Sequence, residues 1–429
     1  MEIYVVQEGD DIYSIATKYM ISIDRLIQEN GLVYPFDLII GQALVITYPK
    51  QTYTVQQGDT LQSIADMYNV KLMQLLRNNQ SLLNRKYLYV GETLVISYET
   101  LGNIATNGFA YPFISKETLI KTLPSLTYLT IFNYSTTEKG EIKTYYNNDA
   151  EIIKISKEYG AIPLMMITTL DQQGKKNEEI AFEILNNEVY QDNHINNFLS
   201  IIKIKGYQGI NIVFNYLNMD NQFIYEKFIN KIANKMKTEE LLFFITINYQ
   251  SQVNDGKIEL GKIDYAKLST YANGLIFLKF EWGFNNFPPA PVININNMKV
   301  LIDYVIQDVT PDKINISIPI IGYDWSLPYI PNESVANSLS INSVLEVANS
   351  NDTKIEFDEI SQTPFFYYTS FSLGESSENI IWFVDARSMK AALKLIFDKH
   401  INGCGIWNIM IYNAQVWTVI NSQFDVVKL

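Results

Sequence analysis

The chain has 429 residues, of which 47% are hydrophobic, so it is long enough for two or three domains with apolar cores. Its 33 basic and 46 acidic side chains give a formal net charge of −13, which argues against nucleic acid as a partner. No apolar run approaches the roughly 18 residues of a membrane span, and the N-terminus lacks the pattern of a cleaved export signal. The composition therefore predicts a soluble globular protein with no nucleic-acid partner and no membrane span.

Cysteine and histidine are too few for a metal centre. The chain has one cysteine, Cys404, and two histidines, His194 and His400, which lie far apart in the sequence. A single cysteine cannot form an internal disulfide, and no Cys/His cluster has the spacing of a structural zinc site. We therefore expect no metal site and no cofactor, and we expect Cys404 to be a small buried residue.

An internal repeat occupies the first hundred residues. Tyr4–Asp10 recurs as Tyr53–Asp59, and further matches continue at nearly the same offset to the end of each copy. Each copy predicts a short strand, a turn at Gly-Asp, two helices and a closing strand. The sequence therefore predicts two β-α-α-β units, at residues 1–49 and 50–99.

These units resemble LysM modules, which bind chitin and peptidoglycan. In that family the glycan lies between the Gly-Asp loop and the loop after the second helix, and it is held largely by the backbone. The resemblance implies two glycan sites in tandem, formed by Gly9, Asp10, Asp11, Ile12, Asn30 and Gly31, and by Gly58, Asp59, Thr60, Leu61, Asn79 and Gln80. The alternative for the side chains is structural, with the glycines serving the turns and the asparagines ending the helices.

From residue 100 onward, apolar runs typical of strands alternate with helical patterns. The predicted strands are Ala105–Ala110, Leu126–Phe132, Ile162–Ile167, Gly209–Phe214, Leu241–Ile247, Gly274–Phe280, Ile314–Ile321 and Gly403–Trp407. A helix is predicted at Phe223–Met236 because apolar residues recur there on one face. This alternation predicts an α/β fold, a (β/α)8 TIM barrel at residues 100–429. A small α+β insertion is expected at about residues 335–388.

The fourth predicted strand belongs to the stretch Gln208–Asn215. Alternate side chains of a strand share a face, so Asn211, Val213 and Asn215 point to one side. On this pattern alone, the segment is a buried strand whose asparagines bond each other or the backbone. Because the chemistry of TIM barrels lies at the C-terminal ends of the strands, the same side chains are also candidates for a functional site.

The order of motifs resembles glycoside hydrolase family 18, especially its spore cortex-lytic N-acetylglucosaminidases, which also carry N-terminal LysM pairs. Besides the fourth strand, the resemblance depends on Glu281-Trp282-Gly283, Ile321–Trp325, Thr363–Phe366, Asp385–Ser388 and Trp407. It covers essentially the whole chain. It implies a peptidoglycan or other N-acetylglucosamine-containing glycan as partner, a location in the spore envelope (cortex or coat), and spore coat proteins as further candidate partners.

The catalytic carboxylates of that family are replaced here. In the family, the glutamate that ends the fourth-strand motif protonates the glycosidic oxygen, and the aspartate two residues earlier orients the substrate acetamido group. These positions hold Asn215 and Val213, and Phe280 replaces a tyrosine that usually bonds the acetamide. Asparagine has no proton to give near neutral pH, and valine forms no side-chain hydrogen bond. No catalytic residue of the family mechanism is therefore intact.

We interpret the barrel as a glycan-binding domain that has lost hydrolysis. The residues implied to bind substrate are Asn211, Asn215, Phe280, Glu281, Trp282, Tyr323, Asp324, Trp325 and Trp407. One alternative is an active cortex-lytic N-acetylglucosaminidase with a displaced general acid, for which Glu281 is the first candidate and Asp171 and Asp324 are others. The other is a spore envelope scaffold whose barrel binds protein. Trp407 is as readily explained as a packed floor of the barrel as by a contact with ligand.

Overall fold

The computed structural model describes most of the chain. The described residues are 1–85, 87–170, 177–213, 220–248, 251–254, 257–260, 263–278, 286–372 and 375–429. No helix in these ranges is long and apolar enough to cross a membrane.

Both repeat units have the predicted β-α-α-β arrangement. The first comprises β1 (Glu2–Val5), α1 (Ile12–Tyr19), α2 (Ile23–Asn30) and β2 (Ala43–Ile46), and the second comprises β3 (Pro49–Thr54), α3 (Leu61–Met67), α4 (Leu72–Asn78) and β4 (Thr93–Tyr98). The two strands of each unit pair antiparallel. Capping boxes start the first helix of each unit, with Asp11 as N-cap of α1 and Thr60 as N-cap of α3. The second unit thus starts with a strand at Pro49, one residue before the expected boundary.

A closed parallel barrel follows the repeats, which confirms the predicted fold class. Its strands in the described chain are β5 (Gly102–Ala110), β6 (Tyr128–Thr136), β8 (Ile162–Thr168), β9 (Gly209–Val213), β10 (Leu242–Ile247), β13 (Gly274–Phe277), β14 (Ile314–Pro319) and β20 (Gly403–Trp407). Each pairs with the next in this order, and β20 pairs with β5 to close the ring. Every strand predicted from an apolar run is therefore a barrel strand.

Helices surround the barrel. Those of the described chain are α5 (Lys116–Thr122), α6 (Asp149–Glu158), α7 (Glu178–Asn186), α8 (Glu188–Lys205), α9 (Gln222–Thr238), α10 (Tyr265–Tyr271), α11 (Ile295–Val305), α13 (Ala386–Asp398) and α14 (Ala414–Gln423). The helix predicted at Phe223–Met236 is α9, and its buried residues, Tyr225, Phe228, Ile229, Ile232 and Met236, recur at helical spacing. Gly206 ends α8 in a left-handed conformation (φ +82°) and leads the chain into β9.

A small antiparallel sheet lies between β14 and β20. Its strands, in spatial order, are β16 (Asn337–Leu339), β15 (Gly322–Leu327), β19 (Glu375–Phe383), β18 (Thr363–Ser372) and β17 (Glu356–Asp358). The helix α12 (Ile341–Ser350) belongs to the same insertion, because Ile341, Val344 and Ala348 pack against Phe366 and Ile381 of the sheet. The sheet begins at Gly322, earlier than the range expected from the sequence.

Short strands complete the sheets. The strand β7 (Ile142–Thr144) pairs antiparallel with β6, β11 (Ser251–Asn254) pairs with β12 (Lys257–Leu260), and β21 (Phe424–Val426) runs parallel to the start of β5.

The two faces of the barrel strands enter different cores. On β9, Ile210 and Ile212 belong to the large core between the barrel and its helices, whereas Val213 belongs to a smaller cluster inside the barrel. This is the alternation expected of a strand that is buried on both sides. It directs Asn211 and Val213 towards the barrel axis.

Candidate functional site

The interior of the barrel is apolar around Val213. This side chain is fully buried in a cluster that includes Phe109, Phe132, Leu278 and Trp407. The Trp407 ring is only 3% exposed, and its centroid lies 5.2 Å from that of Phe109. Val213 therefore occupies a dry, aromatic environment in which a charged side chain would lose its hydration.

An uncharged polar layer also lies inside the barrel. Thr246 Oγ1 donates to Asn211 Oδ1 at 2.8 Å, and Thr130 Oγ1 donates to Asn107 Oδ1 at 2.9 Å. Within the described chain, the Nδ2 atoms of Asn107 and Asn211 have no hydrogen-bond partner, although both residues are buried. Buried polar atoms are normally paired, so these donors are open to ordered water or to a polar ligand.

The polar layer offers hydrogen bonds but no proton at neutral pH. Amide and hydroxyl groups can hold a neutral polar group, and they cannot act as a general acid there. In the described ranges, no group of three or more His, Cys, Asp and Glu side chains is arranged to hold a metal ion. The described interior therefore offers neutral hydrogen-bonding groups to a ligand.

Four of the barrel residues predicted to bind substrate lie outside the described part of the chain. They are Asn215, Phe280, Glu281 and Trp282. Asp171, another candidate acid, also lies outside it. The roles assigned to these residues remain predictions.

Tyr323 and Trp325 lie on the small antiparallel sheet and are buried. Both side chains point to the same face of β15, where they pack with Ala336 and Ile380, and they are 1% and 0% exposed. Trp325 Nε1 donates to the backbone oxygen of Phe287 at 2.9 Å. Protein covers both rings in this conformation, so a sugar could stack on them only after the covering residues moved. Their role as sugar platforms remains a prediction.

Asp324 points to the opposite face of the same strand. It lies across from Ile381, a residue that packs against α12, and Tyr368 Oη donates to Asp324 Oδ2 at 2.8 Å. Burial raises the pKa of Asp324 above its usual value, and the Tyr368 hydrogen bond opposes that shift. A raised pKa suits a proton donor, but the strand places this carboxyl on the other side of the sheet from Tyr323 and Trp325. Its part in substrate binding remains a prediction.

Five aromatic residues at the C-terminal end of the barrel were missed by the sequence reasoning. This mouth cluster consists of Tyr111, Phe113, Phe132, Tyr145 and Tyr146. Ring centroids lie 5.4 Å apart for Tyr111 and Phe113, 5.0 Å for Tyr111 and Phe132, and 5.2 Å for Phe113 and Tyr146. Phe113 is 54% exposed, so part of its ring is available to a ligand. The signal in the sequence was Tyr-Pro-Phe directly after the first barrel strand, together with a Tyr-Tyr pair.

The Gly-Asp turns of the two repeat units have the same internal bonding. Gly9 is left-handed (φ +82°), and Asp10 Oδ2 accepts from Tyr4 Oη at 2.6 Å and from the Gln7 backbone N–H at 2.7 Å. Asp11 caps α1, and Ile12 is buried. The second unit repeats these roles with Gly58, Asp59, Thr60 and Leu61, although Leu61 is only partly buried. These side chains shape the turn, so the surface they leave for a glycan is mostly backbone.

The asparagines at the end of the second helices tie each unit together. Asn79 Nδ2 donates to Leu75 O at 2.9 Å and to Val95 O at 2.7 Å, and Asn79 Oδ1 accepts from Val95 N at 2.8 Å. Asn30 makes the same three contacts in the first unit, and Gly31 follows it in a left-handed conformation (φ +64°). These amides therefore bond each second helix to the closing strand of its own unit. The role of the asparagines in glycan binding stays a prediction.

The first repeat unit is docked on the barrel. Gln415 Nε2, at the start of α14, donates to Asn30 Oδ1 at 3.1 Å and to Ala43 O at 2.7 Å. The backbone N–H of Ile355 donates to Ile40 O at 2.9 Å. The loop that ends the predicted glycan groove of the first unit therefore lies against the barrel.

The second repeat unit docks on the same helix. Asn421 Nδ2 donates to Arg77 O at 3.2 Å, and Gln80 Nε2 lies 3.5 Å from Thr418 Oγ1. Arg77 is buried and pairs with Asp425 at 3.4 Å, and burial lowers the pKa of Arg77 to about 10. Both units are therefore fixed to the barrel through α14 and the segment that follows it.

The closed parallel barrel, with its aromatic mouth, has the architecture of a TIM-barrel glycoside hydrolase. The sequence profile described as "Glycosyl hydrolases family 18" matches residues 116–410, and the profile "LysM domain" matches residues 4–47 and 53–97. The chain belongs to glycosyl hydrolase family 18, and its two N-terminal units are LysM modules.

Relatives that match over almost the whole chain come from Bacillus species. The chain is 28% identical over 434 residues to the cortical fragment-lytic enzyme of Bacillus subtilis, covering 100% of this chain and 99% of that protein. It superposes on the spore cortex-lytic enzyme SleL of Bacillus megaterium with a TM-score of 0.79, at 28% identity, covering 100% and 99% of the two chains. The SleL structure of Bacillus cereus gives a TM-score of 0.78 at 26% identity, covering 100% and 98%.

Proposed function

We propose that this protein binds an N-acetylglucosamine-containing glycan of the peptidoglycan type and does not hydrolyse it by the mechanism of its family. The observation that carries the proposal is the environment of Val213. The family mechanism needs a carboxylate here, on the same strand face as the acid. The structure has instead a fully buried valine among Phe109, Phe132 and Trp407.

The absence of the family's general acid also supports the proposal that hydrolysis is lost. Asn215 replaces the proton donor in the sequence, and a missing general acid typically costs about 10²–10⁴ in rate. Without the orienting carboxylate, the attack by the acetamido group also loses the geometric advantage on which it depends. Two contributions to one chemical step are thus absent.

The features that support binding are retained. The mouth cluster presents the partly exposed ring of Phe113, and aromatic faces suit the apolar faces of pyranose rings. The two LysM modules add two further sites on the same chain, which raises avidity for a polymer that engages more than one.

We further propose that the protein acts in the spore envelope, on cortex or cell-wall glycan. The support is the full-length similarity to enzymes named for the lysis of spore cortex. Spore coat proteins are the proposed protein partners. If the barrel binds no sugar, we propose instead that the protein is a scaffold of the spore envelope.

The proposal is tested by isothermal titration calorimetry of the full chain with N-acetylglucosamine tetramer. The mass of the sugar is then measured by mass spectrometry, to see whether it was cleaved. We expect heat of binding and an intact tetramer. Because the LysM modules also bind, the barrel's share is read from Phe113→Ala, which should weaken tetramer binding. The control is Phe397→Ala, since Phe397 on α13 is 37% exposed and is not part of the mouth cluster.

Cleaved tetramer would contradict the loss of hydrolysis. In that case Glu281→Gln tests whether this residue is the displaced acid, because glutamine keeps the shape and removes the proton. If Phe113→Ala bound the tetramer as strongly as the natural protein, the mouth cluster would not bind sugar. The LysM modules would then be the remaining proposed sugar sites.

A further inference from the structure

A cavity of about 640 Å³ lies between the first LysM module and the barrel. One wall is the loop after α2, from Gly31 to Pro35, which forms one side of the predicted LysM groove. The opposite wall is the face of α12 that carries Ile341, Asn342 and Leu345, and the start of α14 closes one end. The loop after α2 and the helix α12 of the insertion therefore face each other across one space.

A second cavity, of about 190 Å³, continues this space towards the barrel. It shares Ile341, Asn342, Tyr412 and Asn413 with the first cavity and extends to Trp407 at the C-terminal end of β20. The hydroxyl of Tyr412, which lines both, is buried and has no hydrogen-bond partner within the described chain. The two cavities thus adjoin each other, and together they are called the interdomain cleft.

The lining of the interdomain cleft suits a neutral, amphipathic ligand. Amide side chains come from both domains, including the exposed Gln28 of the LysM module and the exposed Asn342 of α12. Amides donate and accept hydrogen bonds, which matches the hydroxyl and acetamido groups of an N-acetylated sugar. Leu32 and Leu345 supply apolar surface, and the charged residues are of both signs. A strongly anionic ligand has no cluster of cations to meet here.

The two walls are held in a fixed relation. Arg387 Nη2 donates to Gly41 O at 3.2 Å, and Ile355 N donates to Ile40 O at 2.9 Å. Gly41 is left-handed (φ +87°), and a Cβ there would lie 1.9 Å from Ile355 O, so only glycine allows this approach. Because the walls of the cleft are already ordered, binding costs little conformational entropy in the protein.

We propose that the interdomain cleft is a composite glycan site, in which one N-acetylglucosamine-containing strand lies between the first LysM module and α12. This inference depends on the proposed function, because it names where the same class of glycan lies. It also brings the second LysM module to the edge of the same site, since Gln80, from the predicted groove loop of that module, lines the first cavity as well.

The test is calorimetry of the full chain with N-acetylglucosamine hexamer, comparing the natural protein with Asn342→Trp and Glu346→Trp. Both side chains are exposed, they lie one turn apart on the face of α12 that lines the cleft, and an indole at either position would fill it. We expect the affinity for hexamer to fall by about tenfold, as when one of two linked contacts with a strand is lost. The control is Asn351→Trp, because Asn351 is exposed at the C-terminal end of the same helix and does not line the cleft.

Hydrogen exchange with and without hexamer locates the ligand independently of these variants. We expect slower exchange both in residues 31–39 and in residues 341–349. Slower exchange in the LysM loop alone, or equal affinity in all three tryptophan variants, would overturn the composite site and leave the proposed function intact. A natural protein that binds no hexamer at all would overturn the proposed function, and the composite site with it.

Discussion

Buried asparagines serve different purposes in the LysM modules and in the barrel. In the modules, the amide of Asn79 makes three hydrogen bonds, to Leu75 and Val95, and Asn30 does the same in the first copy. In the barrel, Asn107 and Asn211 each accept one bond from a threonine, and their Nδ2 atoms have no partner within the described chain. A fully bonded amide holds a fold together, whereas an amide with an open donor is available to a ligand or to water.

The largest expected effect concerns the apolar cluster inside the barrel, beside the layer that contains Asn107 and Asn211. Val213→Asp places the carboxylate that the family resemblance implies at this position in the apolar cluster that also contains Phe109, Phe132 and Trp407. We expect a loss of about 3 kcal/mol or more in the free energy of unfolding at pH 7.5, as for an uncompensated buried charge. Burial raises the pKa of such a carboxyl, so the loss should be smaller at pH 5, where more of it is protonated. Urea denaturation at both pH values measures it.

Val213→Thr is the matched control, since it keeps the shape and adds a neutral hydroxyl. If Val213→Asp were as stable as Val213→Thr at pH 7.5, the cluster would admit water and charge. The apolar environment that the proposed function assigns to Val213 would then be wrong.

The next effect tests the structural asparagine. Asn79→Ala removes three hydrogen bonds and leaves the backbone groups of Val95 buried without partners, so the second module should lose about 2–4 kcal/mol. The matched control is Asn78→Ala, which removes one bond, from Asn78 Nδ2 to Ile96 O at 3.1 Å, and should cost about 1 kcal/mol. Hydrogen exchange at the Val95 amide and thermal melting report the two values. Equal losses in both variants would remove the distinction between the two asparagines.

A third prediction concerns His194, another buried polar residue of the barrel. Burial among Phe198 and Phe228 lowers its pKa to about 3, below the value of roughly 6.5 in an unfolded chain. The unfolded state therefore takes up a proton first, and stability is lost as the pH falls below 6.5. Between pH 6.5 and pH 5 the loss from this residue should reach about 2 kcal/mol.

Comparison of unfolding free energies at these two pH values checks the prediction. His194→Phe should abolish this part of the pH dependence, whereas His400→Gln, at an exposed position, should retain it. A pH dependence that is unchanged in His194→Phe would assign the loss to other groups.

The smallest effect tests the open amide of the barrel. The double variant Asn211→Val with Thr246→Val replaces one hydrogen-bonded pair by apolar side chains of similar size. Because both partners are removed together and one donor was already unpaired, we expect the stability to change by less than about 1 kcal/mol. A loss as large as that of Asn79→Ala would show that the barrel asparagine is structural too. Urea denaturation of the two variants in parallel decides between them.

Much of the fold was predictable because its signals are local. The apolar runs of the barrel strands and the five apolar residues of α9 follow from periodicity, and the repeat follows from matched positions. The candidate site was less predictable. The mouth cluster joins Phe113 to Tyr146 across two loops, and no local pattern indicates that these rings meet. Tyr323 and Trp325 were predicted to bind sugar from the family resemblance, but their burial depends on packing with Ala336 and Ile380, which the sequence does not show.

The sequence by itself determined the two LysM modules and the barrel, because residue identity and periodicity are properties of the chain alone. The replacement of the family's carboxylates stays a prediction from the resemblance. The tertiary structure decided what each polar side chain does. It showed that Asn79 is fully bonded and that Asn211 is not, since their partners lie on other strands. It also showed that the first LysM module faces α12 across a cleft, because contacts between domains depend on surfaces that form only after each domain has folded.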